Sequence, residues 1–445
     1  MPRLLLGVVY RTAERQSPRS EAARALARAA AARVPGARRP PDPQLQLGFM
    51  NYDLPGLKPM EQLGMNQLQL MQMVPVAGKL GLSGGVAQAQ ANAQGFRARD
   101  VSWEVRTQAA AAFYDLYQTD QSLEVARQTR RLLEDIARIA ETMYRVGEGR
   151  QADVLRARVE IARMTEDIVR MEAMRAGQAA RLKAVLNAPE DAAVPPPALP
   201  DFPTDVPDLD TLLAWARAGR PMLKAGEEEV AAADKAARLA RREIWPDLQV
   251  GMQYGQRSGA PGMSTDRMGS LMLGASVPIF ARSRQLQMRQ EAAAMRAMAA
   301  ADLTAMWADT RGRVAEMRAD LARARNLIVL YRTTVLPQAR ATVQSALAAY
   351  RVGSVPFMTL LDDQMTVNRY RQELYALEAD QGTAWAELEM LLGRELLDAD
   401  RLAPVLASDA APGPAAGAAA SPADSARVPT SPEPRPTPRR AGAPR

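Results

Sequence analysis

Histidine and cysteine are absent from the 445 residues. Imidazole catalysis, thiolate chemistry, disulfides and the commonest zinc ligands are thereby removed. No P-loop or dinucleotide fingerprint is present either, and the residues that stand out are carboxylates and thioethers. Asp153 follows the turn Tyr144-Arg145-Val146-Gly147, and Asp362 and Asp363 follow Tyr350-Arg351-Val352-Gly353. An acid in the first turn of a helix favours the helix dipole, which is the plain reading of all three. The 23 methionines include Met71, Met73 and Met272, which share a strand face with Gln and Gly. Thioethers suit Cu(I) or Ag(I), although flexible apolar filler is their default role. Nothing here forms a catalytic centre, and no cofactor is expected.

These residues sit on a duplicated scaffold. From Trp245 to Phe280, Leu248, Val250, Met252 and Tyr254 alternate with Gln249, Gly251, Gln253 and Gly255. After a Gly/Pro/Ser turn, Leu271, Leu273, Ala275 and Val277 alternate with Ser270, Met272, Gly274 and Ser276. Period-two patterning of this kind predicts a hairpin with one apolar face and one polar face. The same hairpin occurs earlier: Pro43, Leu45, Gly48, Leu70 and Pro75 fall on Pro246, Leu248, Gly251, Leu273 and Pro278 at a constant offset of 203. An internal repeat at this distance implies one structure made of two similar halves.

Around the hairpins the sequence predicts helices. Residues 1–16 read as irregular. The first repeat spans 17–207, with a helix, hairpin 43–75, a long helix 79–146, a return helix 151–187 and a proline-rich connector. The second spans 208–394, with helices, hairpin 246–278, a long helix 282–352 that Pro337 should kink, and a return helix 354–394. The paired Tyr-Arg-Val-Gly turns are offset by 206, which places three extra residues along the second rod. A proline-free stretch such as 79–146 would be on the order of 100 Å long, and rods of that length need neighbours. Gly147 and Gly353 suit reversals that require positive φ. Residues 395–445, rich in Ala, Pro and Arg, read as a disordered tail.

Each strand approaches the ten or so residues that cross a bilayer when tilted. Four strands cannot close a barrel, and open edges cannot sit in lipid, so several chains would have to share one. The net charge of +7 reflects Arg near both ends of the chain. No basic cluster interleaved with aromatics suggests a nucleic-acid partner. The alternative is a soluble coiled-coil scaffold with a basic tail.

The duplicated plan, the strand starts PDPQLQLGF and WPDLQVGMQY, the strand ends VPV and VPIF, and the paired YRVG turns resemble the TolC-like outer-membrane efflux channels. The resemblance covers about 17–394. It implies a mainly α fold with a transmembrane β-barrel, in which long antiparallel helical hairpins form a periplasmic tunnel. Each chain of a homotrimer would give four strands to a shared twelve-stranded barrel in outer-membrane lipid. The function implied is a passive exit duct in a tripartite (RND-type) efflux or type I secretion system, carrying drugs, metal ions or other small solutes. The implied partners are a periplasmic adaptor and, through it, an inner-membrane RND or ABC pump. Asp153, Asp362 and Asp363 would form an acidic ring at the tunnel entrance. Tyr144, Arg145, Gly147, Tyr350, Arg351 and Gly353 would form the tip that latches and meets the adaptor. Apart from the resemblance, thioether chemistry and their strand face make Met71, Met73 and Met272 candidate lumen-facing soft-metal contacts. An export signal is expected upstream of Met1, because the apolar run from Leu4 to Val9 is too short to serve as one.

Overall fold

Alanine, leucine and arginine fill the stretches between the proline clusters, and these stretches are helical. The computed structural model describes residues 3–53, 55, 56, 58–60, 64–257 and 266–403. In order, the elements are α1 (Leu6–Gln16), α2 (Pro18–Ala37), β1 (Gln44–Met50), the short β2 (Tyr52–Asp53) and β3 (Lys58–Pro59), β4 (Met65–Val74), α3 (Lys79–Arg145) and α4 (Gln151–Leu186). The second half follows with α5 (Leu209–Gly219), α6 (Pro221–Arg242), β5 (Leu248–Arg257), β6 (Asp266–Ala275), α7 (Gln285–Leu330), a π turn (Tyr331–Val335), α8 (Leu336–Arg351) and α9 (Phe357–Leu392).

The expectation of an irregular segment over 1–16 is corrected. Leu6, Val9, Tyr10 and Ala13 recur at helical spacing and are buried against Phe113, Tyr114 and Leu116 of α3 and Leu182 of α4. The short apolar run that fails as an export signal is the start of this core stripe. Helix α1 lies 203 residues before α5, end for end. The duplication therefore begins at Leu6. In the second half, Leu212 and Ala216 of α5 pack with Val314, Leu321, Trp385 and Leu388.

Helix α3 runs 67 residues and packs on α2, α4, α6 and α9. At 1.5 Å per residue it is about 100 Å long. The second rod, from Gln285 to Arg351, has the same length, because both its ends lie 206 residues beyond those of α3. The three extra residues are thus not in the rod. They lie between Pro278 and Gln285, where the first repeat passes from Pro75 to Lys79. Pro337 acts just downstream of the π turn. It lacks an N–H, and its ring crowds the carbonyl four residues back, at Thr333, inside that turn. The widened ladder absorbs this crowding.

Residues 395–403 do not belong to a disordered tail. The Glu389 carboxylate accepts the backbone N–H groups of Leu396 and Leu397, each at 2.7 Å, and Leu397 is buried. The connector is braced on both sides: Ala198 donates to the Leu4 carbonyl at 3.0 Å, and Ala403 donates to Leu199 at 3.1 Å. Buried Arg106 of α3 joins these segments. Its guanidinium lies 3.8 Å over the Tyr10 ring and pairs with Glu389 at 3.5 Å and with Glu395. The rest of the expected tail, 404–445, lies outside the described residues.

Candidate functional site

The four long strands form one antiparallel sheet in the order β1-β4-β5-β6. Strands β4, β5 and β6 have ten residues each, the length that crosses a tilted bilayer. The register aligns like with like. Leu45, Leu70, Met252 and Leu271 share one row; Leu47, Leu68 and Tyr254 share another. On the opposite face Gln46, Gln69, Gln253 and Ser270 form a row, and the Gln253 amide donates to Gln67 at 2.5 Å.

Among the described residues, nothing covers the apolar face. Leu47, Leu271 and Leu273 are 73%, 70% and 77% exposed. An uncovered apolar surface of this kind requires lipid or another protein. Among the described residues, strands β1 and β6 each leave one edge unpaired within the sheet. Open edges are tolerated in a bilayer only when another strand completes them. Among the described residues no helix is long and apolar enough to cross a membrane. A soluble scaffold has no use for this face, and that alternative finds no support.

The sheet is fixed to the rods by a residue that the sequence reading missed. Lys79, the first residue of α3, is buried; its ammonium donates to the Asp247 carboxylate at 2.8 Å and the Trp245 carbonyl at 2.9 Å, with Glu243 at 3.4 Å. The rod of the first repeat is thereby clamped to the hairpin of the second. One signal existed: a cation at a helix N-terminus opposes the dipole and so calls for a partner.

At the far end of the rods are the two reversals. Gly147 has φ +83° and Gly353 φ +71°, the left-handed region, with open space around both. The two tyrosines of the duplicated turn are not equivalent. Tyr350 is buried, edge-on to Phe357 at 5.7 Å between ring centres, whereas Tyr144 is exposed. Burial raises the Tyr350 phenol, and the charge of Asp153 raises it further. Its hydroxyl has no partner among the described residues. Arg145 donates to Thr142 of its own helix at 3.5 Å, and Arg351 is exposed. Asp153 lies in the first turn of α4. Asp362 and Asp363 lie in the second turn of α9, exposed and half-buried, so the helix dipole accounts for Asp153 better than for these two. Met71 and Met272 approach Gly251 of β5 from its two neighbouring strands, and Met73 is on the same face one row away.

A long-helix hairpin repeated twice beneath a lipid-length sheet defines an outer-membrane channel fold. Solved structures agree. The chain is similar to CusC, at 17% identity over 88% of this chain and 92% of that one, with a TM-score of 0.75. It is similar to VceC of Vibrio cholerae at 16% identity, over 87% and 96%, with a TM-score of 0.71. It also resembles the open state of the MtrE channel of Neisseria gonorrhoeae at 15% identity, over 87% and 89%, with a TM-score of 0.72. No curated protein sequence matches it. Residues 212–394, nearly the whole second repeat, match the model of the outer membrane efflux protein family.

Proposed function

We propose that the chain is one subunit of a trimeric outer-membrane exit duct, with its sheet in the bilayer and its rods in the periplasm. The observation that carries this reading is the sheet: lipid-length strands, one uncovered apolar face and an unpaired strand at each side. Three such sheets joined edge to edge would make a closed barrel, with the apolar faces in lipid and the Gln/Gly/Ser faces lining water. The chain has no part in catalysis and serves as a passive conduit. A periplasmic adaptor would meet the helical tip, and an RND or ABC pump in the inner membrane would supply energy through that adaptor.

At the tip, Asp153, Asp362 and Asp363 would repeat three times around the tunnel mouth. Rings of carboxylates concentrate cations and disfavour anions. Tyr144, Arg145, Tyr350 and Arg351 surround the two reversals, where they would latch the tip and contact the adaptor.

The test is reconstitution of the native protein, purified from outer membranes, into planar bilayers. Discrete channel openings with cation selectivity are expected, and that selectivity should fall in Asp362→Asn/Asp363→Asn. A protein found only in soluble fractions, or one that gives no conductance, would overturn the reading.

A further inference from the structure

On the polar face of the sheet, every large apolar residue is methionine. Met50 in β1, Met65, Met71 and Met73 in β4, and Met268 and Met272 in β6 occupy that face with glutamines, glycines, Ser270 and, in its end row, Arg257 and Asp266; no Leu, Ile, Val or Phe does so. Branched side chains are confined to the other face. A need for apolar filler alone would not choose the thioether each time, since leucine fills similar volume.

Two of these methionines converge. The register places Met71, Gly251 and Met272 side by side on adjacent strands. A Cβ built on Gly251 would lie 3.4 Å from Cγ of Met71 and 3.5 Å from Cε of Met272. Each of those carbons is bonded to its own sulfur, so the two thioethers reach over one glycine from opposite sides. Gly251 is buried beneath them, and both methionines are half-buried. Met73 occupies the adjoining row beside Gln249 and Gly274. The surrounding rows hold neutral amides and Ser270, without a carboxylate. Hard divalent cations seek carboxylate oxygens, whereas thioethers prefer soft monovalent ions.

We infer that Met71 and Met272, which flank Gly251, form a contact site for a soft monovalent cation, Cu(I) or Ag(I), passing through the barrel. The inference rests on the duct reading and names a cargo class for it. Two thioethers with no charged ligand make a weak site, as a conduit needs if its cargo is to leave.

The experiment uses the purified native trimer with methyl-13C methionine in detergent micelles, titrated with Ag(I). Saturable shifts of the Met71 and Met272 methyl signals are expected, with no response to Mg(II). Met71→Leu and Met272→Leu preserve shape, and each should abolish the saturable shift of the remaining partner. If one variant fails to assemble, the other answers the same question. The site is overturned if the two methyl signals of the wild type do not move, or if the shift of Met272 survives Met71→Leu. Absence of conductance in the wild type would instead overturn the duct reading, so the two failures are distinguishable.

Discussion

Gly353 shows how little of the helical tip can be changed. Its φ of +71° would place the Cβ of any other residue against the backbone, although the surrounding space is empty. Gly353→Ala should therefore cost about 1 kcal/mol through backbone strain alone, measured as a lower thermal midpoint. Gly147→Ala should behave alike. Glu389 gives a pH signature. Burial, more than any neighbour, raises its carboxyl above the usual glutamate range, opposed by the Leu397 and Leu396 amides and by Arg106. An acid whose folded-state value exceeds its unfolded value stabilises most at pH below the unfolded value, and that contribution is lost as pH rises through the folded one. Melting curves taken across that range should show this loss in the wild type, and Glu389→Gln should remove that component. The outcome would be contradicted if the wild type and the variant declined in parallel.

Among the elements, the two sheet faces should respond in opposite ways. Leu271→Arg places a charge on the lipid face, at a cost of about 2–4 kcal/mol near the bilayer midplane. It should reduce the amount of folded trimer recovered from outer membranes. Gln253→Arg, on the water-lined face of β5, should assemble normally and alter conductance. Equal assembly of both variants would mean that the faces are not distinguished by lipid. At the junction of sheet and rods, Lys79→Met would leave Asp247 and Glu243 without their cation. Lys79 is buried but both carboxylates are partly exposed, so the loss should cost at most about 3 kcal/mol, which limited proteolysis at the junction should reveal.

Much of this plan was legible in the sequence. Period-two alternation gave strand positions and faces directly, because the side-chain period is fixed by the pleat. Proline spacing and the duplicated turns marked the rods. Helix α1 was not legible: only one and a half heptads long, it is recognisable mainly by its burial on α3. The Lys79 clamp was hidden because its partners lie 166 and 168 residues away. The inequality of Tyr144 and Tyr350 follows from a difference just beyond the shared motif. Phe357 stands where the first repeat has Gln151, so only Tyr350 has a ring to pack against.

For the whole molecule, the central claim is that strand β1 of one chain pairs with β6 of the next to close a barrel from three copies. Within one chain those strands are at opposite edges of the sheet and cannot meet. These 445 residues contain no cysteine, so introduced pairs report without background from them. The decisive measurement is cross-linking in intact outer membranes, with a cysteine at Leu45, Leu47 or Phe49 in β1 combined with one at Leu271 or Leu273 in β6. The account predicts that at least one combination yields covalent dimers and trimers, with no larger species, and that neither single cysteine yields trimers. Monomers from every combination, or an open-ended ladder of higher oligomers, would contradict a closed three-chain barrel.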